Sequence, residues 1–234
     1  MKFRKKLFIF ITILAIACTQ GVPAFASSET GLPSGSFLVA ADEKEDSSVE
    51  YAVGPELEAE SAIVMDADSG NILYEKDSRS KREPASTTKI VTCMLALEYL
   101  DLDQVITVKH NAQQMGSIIN VKQGEKIRTE DLLYALMLPS ANDAAVALAE
   151  EIGGDVETFC SMMDEKAKEC GAENTHFRNP NGLNWQGQED HLTTAYDLAV
   201  ITREAMKNST FRKLVRTTTY TMPATNKSKE RNCC

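Results

Sequence analysis

The chain has 234 residues, with 34 acidic against 25 basic side chains and a formal charge of −9, a balance that argues against nucleic acid as a partner. Its hydrophobic content of 43% is enough for one domain with a buried core. His110, His176 and His191 are scattered, and no cysteine spacing fits a zinc site, so neither metal nor cofactor is expected and the histidines are assigned surface or loop roles.

Residues 1 to 26 read as a secretory signal: Lys2, Arg4, Lys5 and Lys6 precede the apolar run Leu7 to Ala17, and Ala24-Phe25-Ala26 supplies a cleavage site. The run is shorter than the about 20 apolar residues of a membrane span. Cleavage after Ala26 removes four positive charges and takes the balance from −9 to −13. The mature chain is then exported, to the cell wall or the outer face of the cytoplasmic membrane. Five cysteines remain, Cys93, Cys160, Cys170, Cys233 and Cys234, an odd number that leaves at least one unpaired within the chain. Residues 27 to 55 are polar and acidic around Asp42-Glu43-Lys44-Glu45-Asp46 and read as a flexible linker. Residues 56 to 234 form the folded domain.

Within that domain, Ser61 to Asp66 and Ile72 to Glu75 are β-prone runs around Asp68-Ser69-Gly70-Asn71, a hairpin signal. A helix is expected from near Ser86 to Leu100. Val105 to Val108 reads as a short strand and Val121 to Ile127 as a turn-rich extended stretch. Three helices follow: Thr129 to Leu138, stopped by Pro139; Asn142 to Ile152, stopped by Gly153-Gly154; and Val156 to Cys170, capped by Gly171. Cys160 and Cys170 on one helix lie about 15 Å apart along its axis, too far to bridge. A loop over 174–193, rich in Asn, Gly and Gln, leads into a helix from Thr194 to Lys207, with Thr194 and Asp197 placed as a capping pair. Thr217 to Met222 reads as a strand.

Two short segments stand out chemically. In Glu83-Pro84-Ala85-Ser86-Thr87-Thr88-Lys89 the lysine lies one helical turn after the serine, on the same face. A serine hydroxyl needs a proton acceptor to become a nucleophile, and a buried amine one turn away can serve. The plainer alternative is an N-cap serine followed by a surface lysine. Ser140-Ala141-Asn142-Asp143-Ala144, between two apolar helices, can place a hydroxyl to relay a proton and an amide to hold a substrate. Its plainer reading is a helix start capped by Ser140 or Asn142.

Together the two segments resemble the penicillin-binding proteins and serine β-lactamases, and most closely the low-molecular-mass D-alanyl-D-alanine carboxypeptidases. Pro84 to Lys89 is similar to the first family motif and Ser140 to Ala144 to the second. His176-Phe177-Arg178-Asn179-Pro180-Asn181-Gly182-Leu183 is similar to a recurring loop, and Ala62 to Asp66 with Gly70 to Tyr74 to the first hairpin. The resemblance implies an α/β (α+β) fold of the serine β-lactamase and penicillin-binding-protein type, an antiparallel sheet flanked by helices. It implies that Ser86 attacks the carbonyl between the two terminal D-alanines of a peptidoglycan stem peptide, Lys89 accepts its proton, Ser140 relays a proton to the leaving D-alanine and Asn142 contacts the substrate amide. β-Lactam antibiotics would be trapped as covalent inhibitors.

The sequence departs from the family in lacking a Lys-Thr-Gly triad after the second motif. In the family this triad binds the substrate carboxylate, and its strand supplies an oxyanion donor. The late strands and a C-terminal membrane-associating helix are also missing, so peripheral membrane association would be lost. The expectation is therefore a C-terminally truncated carboxypeptidase of doubtful activity, with Arg231 to Cys234 as the scar and an unpaired edge near residues 61 to 76. The alternatives are a non-catalytic cell-wall or penicillin-binding fragment, or a serine β-lactamase, which lacks support because no Glu-x-x-Leu-Asn segment is present.

Overall fold

The computed structural model describes residues 36–37, 52–109, 112, 114–183 and 187–233. The expected signal, most of the expected linker, His110 and Cys234 lie outside the described residues. Every described residue belongs to the unit Pro33–Cys234.

The alternating runs become strands in antiparallel pairs. β1 (Ser36–Phe37) pairs with β2 (Ala52–Val53), and β3 (Ala62–Met65) with β4 (Ile72–Lys76) in a register that sets Val64 opposite Tyr74. The β3–β4 turn follows from its sequence. Asp66 Oδ1 accepts from the Ser69 backbone at 2.7 Å and from its hydroxyl at 2.6 Å, and Gly70 takes φ +79°, open to glycine at no steric cost. Among the described residues β3 hydrogen-bonds only to β4, and Val64 and Leu73 are exposed. Beside β3, an apolar cleft of about 440 Å³ is bordered by Ile63, Met65, Thr87, Ile90 and Leu198.

The helices are α1 (Lys89–Tyr99), α2 (Thr129–Met137), α3 (Asn142–Gly153), α4 (Val156–Glu169), α5 (Ala195–Ala205) and α6 (Ser209–Arg216). Their ends match their caps. Asp155 accepts from the Thr158 amide and Thr194 from the Asp197 amide, while Gly154 and Gly171 take positive φ at the ends of α3 and α4. Helix α1 is apolar nearly all round and is buried accordingly. Its Cys93 and Ala96 join a core with Ile106, Leu132, Leu136 and Leu148, whereas Val91 and Leu95 join a second with Phe159, Met163, Phe177 and Ile201. The helix carrying the first motif is thus fixed on both flanks.

Sequence reading missed three pairings, one of them β1–β2, which lies within residues 27 to 55 read as a flexible linker. Val105–Thr107 (β5) pairs with Lys126–Arg128 (β6), inside the stretch read only as extended. Tyr220–Met222 (β7) pairs with Arg231–Cys233 (β8), where no structure was expected. Cys233 is buried, and Arg231 reaches the fully buried Glu125 at 2.9 Å, so these residues take part in the packing. Cys93 is buried as a small apolar side chain, and Cys93, Cys160 and Cys170 are free thiols. No helix of the described residues is long and apolar enough to cross a membrane.

Candidate active site

The first motif enters α1 through a 3-10 turn, Ala85–Thr88. Ala85 has φ +47°, an unusual conformation for a residue with a side chain, and the turn leaves Ser86 exposed while Lys89 is 2% exposed. Neither this turn nor α1 carries a side-chain cap. Ser86 is therefore not an N-cap, and Lys89 is not a surface lysine. The Lys89 amine lies 3.1 Å from Ser86 Oγ and donates to the Asn181 carbonyl at 2.8 Å. Among the described residues no carboxylate pairs with it. Loss of water around the charged form pushes its pKa from 10.5 down to about 8. An exposed hydroxyl thus sits against a buried amine that sheds its proton near pH 8, a pairing suited to nucleophile activation.

The loop between α4 and α5 walls the amine on its other side. Asn179 shapes it: Oδ1 accepts from the amides of Asn181 (3.2 Å) and Gly182 (2.7 Å), and Nδ2 donates to the Leu183 carbonyl at 2.8 Å. The turn therefore projects two backbone carbonyls at α1, that of Asn181 onto Lys89 and that of Pro180 onto the Thr92 hydroxyl at 2.6 Å. Gly182 packs so closely that an added Cβ would stand 1.7 Å from the Ala85 carbonyl oxygen, and its φ is +80°. The loop is tied back by paired backbone hydrogen bonds, Arg82 with Thr193 and His176 with Leu192.

Two histidines of this loop bear on the wall: His176 is a half-exposed loop residue, as expected, whereas His191, also in the loop, is buried. His176 Nδ1 lies 2.6 Å from Asp164 Oδ2, and the other oxygen of Asp164 accepts the Phe177 amide at 2.8 Å. His191 is buried. Its Nδ1 accepts the Arg178 amide at 2.9 Å, so Nε2 carries the proton and donates to Thr88 Oγ1 at 3.0 Å.

The second motif sits at the start of α3, yet the N-cap is Ala141 and makes no side-chain cap, so neither Ser140 nor Asn142 has that role. Asn142 Nδ2 donates to the Met115 carbonyl at 2.8 Å, and its backbone amide donates to Ser117 at 2.7 Å. Asp143, buried, accepts the amides of Ile119 (3.1 Å), Val121 (3.0 Å) and Ala144 (3.0 Å). The motif thereby holds segment 115–121 in place. Gly116 lies between Asn142 and Leu183 of the loop, which connects the second motif to the wall beside Lys89. Ser140 is half-buried at φ +59°. Among the described residues its hydroxyl makes no hydrogen bond to Ser86 or Lys89. Of the four residues expected from the sequence, then, the structure joins Ser86 to Lys89 directly, and Asn142 reaches them only through Gly116 and the loop. Sequence reasoning placed Asp143 in the second motif, Asn181 and Gly182 in a recurring family loop and His191 in a loop, but gave none of them a role at the site. The Asn179 to Gly182 run was the one available signal, since Asx-turn residues before a glycine mark a tight, specific turn.

The profile of the D-alanyl-D-alanine carboxypeptidase family matches residues 47–233. The chain is 40% identical over 166 residues to D-alanyl-D-alanine carboxypeptidase DacF of Bacillus subtilis, covering 68% of this chain and 42% of that protein. It is 36% identical over 173 residues to DacB2 of Mycobacterium tuberculosis, covering 74% of this chain and 59% of the relative. It therefore spans about half the length of these curated relatives. Among solved structures, a D-alanyl-D-alanine carboxypeptidase from Mycobacterium tuberculosis superposes with a TM-score of 0.71 at 33% identity, covering 76% of this chain and 67% of that one. A mutant of the Streptomyces K15 DD-transpeptidase superposes with a TM-score of 0.69 at 33% identity, covering 77% and 74% respectively.

Proposed function

Because the chain belongs to the D-alanyl-D-alanine carboxypeptidase family, we propose that it acylates Ser86 with peptidoglycan stem peptides ending in D-Ala-D-Ala and releases the terminal D-alanine. The observation that carries this reading is the 3.1 Å contact between exposed Ser86 and buried Lys89. In the neutral amine one N–H remains on the Asn181 carbonyl, and the lone pair is free to take the Ser86 proton. The hydroxyl oxygen then attacks the carbonyl between the two D-alanines, and the C–N bond to the terminal D-alanine breaks as that nitrogen is protonated. Ser140 is assigned the relay of this proton and Asn142 a contact to the substrate amide. Water hydrolyses the acyl-serine in the second half-reaction. β-Lactams enter the first half-reaction and stall in the second. Residues 1 to 26 support export, which brings the site to the cell wall or the outer face of the cytoplasmic membrane.

Among the described residues the Ser140 hydroxyl makes no hydrogen bond to Ser86 or Lys89, and this favours a second reading in which the chain binds penicillin or cell wall without turnover. The two separate on release of D-alanine from a stem pentapeptide, with Ser86→Ala as control. Serine-dependent release supports the carboxypeptidase, whereas a folded chain releasing no more than Ser86→Ala supports the binding-only reading.

A further inference from the structure

We propose that His191 is the positioning residue of the base: by donating from Nε2 to Thr88 it clamps the Asn179 to Leu183 turn onto the start of α1, closing water away from the Lys89 amine. This deepens the proposed function and rests on its reading of Ser86 and Lys89 as nucleophile and base. His191 touches neither; it acts through Thr88 and the turn.

Three observations converge on this role. The tautomer is fixed, because the Arg178 amide donates to Nδ1 and leaves Nε2–H to Thr88 Oγ1. Both partners are buried, His191 at 5% and Thr88 at 0% exposure, so this bond has no ready substitute from solvent. The three side chains that grip the wall, Thr88, Lys89 and Thr92, stand on one stretch of chain and meet His191, Asn181 and Pro180 in turn. Removing the first grip loosens the carbonyl that caps the amine. The charged groups facing the ring are His176, Asp164, Asp190 and Glu83. Burial, aided by His176, outweighs the three carboxylates and holds the imidazole neutral, with its pKa down to about 4.

The test follows Lys89 itself, so it does not depend on turnover. The full chain is labelled with lysine carrying ¹³C at the ε position, Lys89 is assigned from a Lys89→Arg control, and its titration is recorded in the wild type and in His191→Leu, His191→Gln and Thr88→Val. The wild-type amine is expected to titrate near pH 8. In His191→Leu and Thr88→Val the midpoint should rise by about one pH unit or more as water reaches the amine. Penicillin acylation at pH 7 should fall about tenfold, following the neutral fraction. His191→Gln, which keeps a donor where Nε2 stands, should restore most of the shift. Should His191→Leu not fold, Thr88→Val, a near-isosteric change, decides the matter alone. An unmoved midpoint in a folded variant that lacks the bond would overturn the proposal, as would a wild-type amine titrating near 10.5 or a glutamine variant no better than leucine. A midpoint that shifts as expected in a protein never acylated by penicillin would refute the carboxypeptidase reading and leave the clamp intact.

Discussion

Replacing Lys89 by arginine tests the base assignment with a magnitude fixed by burial. With the amine's pKa lowered to about 8, about one molecule in ten carries a neutral amine at pH 7; at the unperturbed value of 10.5 the fraction is about one in three thousand. Burial therefore raises the competent population about 300-fold. The cause is desolvation at a site where, among the described residues, the neighbouring acceptor besides Ser86 is the Asn181 carbonyl, which alone would favour the ammonium. Desolvation wins because, among the described residues, no carboxylate compensates the charge. A guanidinium stays protonated at every accessible pH, so Lys89→Arg should cut acylation by a fluorescent penicillin at least about 10²-fold, the low end for general-base catalysis. The wild-type rate should climb about tenfold per pH unit below 8 and level off above about 9. Measuring the second-order acylation rate from pH 6 to 10 checks both. A flat wild-type profile between pH 7 and 9, or an arginine variant within tenfold of wild type, would refute the reasoning.

Three further outcomes follow from the same geometry. Asp143→Ala strands the buried amides of Ile119 and Val121 and should destabilise the fold by about 2 to 6 kcal/mol in urea denaturation, since each unsatisfied buried donor costs about 1 to 3 kcal/mol. Gly182→Ala drives a methyl group into the Ala85 carbonyl at a backbone φ of +80°; penicillin acylation should fall by more than about tenfold, because the displaced atoms belong to the Ser86 turn. For His191 the folded pKa, about 4, lies below the unfolded value of 6.5. The unfolded chain therefore binds more protons between these values. Its contribution to stability is full above pH 6.5 and is lost as pH falls toward 4, by about 2 kcal/mol once solvent screening is allowed for. Denaturation midpoints at pH 7 and 4.5 should show this loss in the wild type and a smaller one in His191→Gln.

Most helices, α6 excepted, were legible from the sequence because their signals are local. The cap at Thr194, the glycines after α3 and α4 and the apolar faces of α2 and α3 act within one or two turns of the residues they define. The β5–β6 and β7–β8 pairings depend on partners about 20 and 10 residues away, and Arg231–Cys233 carries no alternation strong enough to announce a strand. At the site, Ser86 and Lys89 could be paired from their spacing, since a helical turn fixes which side chains meet. The wall that desolvates the lysine could not, because it is made of backbone carbonyls about 90 residues downstream, and a carbonyl leaves no trace in side-chain chemistry. The burial of His191 was missed for a related reason: an isolated histidine in a polar loop gives no local sign that its ring is buried against Thr88. The plain capping readings of Ser86, Ser140 and Asn142 were resolved only by the backbone geometry, which puts the cap of α3 at Ala141.

The central claim, that Ser86 is a nucleophile activated by Lys89, is tested most directly by incubating the purified chain with penicillin and mapping the adduct by peptide mass spectrometry. The structure predicts a single penicilloyl adduct on the peptide containing Ser86, absent from Ser86→Ala and strongly reduced in Lys89→Arg. A folded chain with no adduct, or an adduct on another residue that persists in Ser86→Ala, would contradict it.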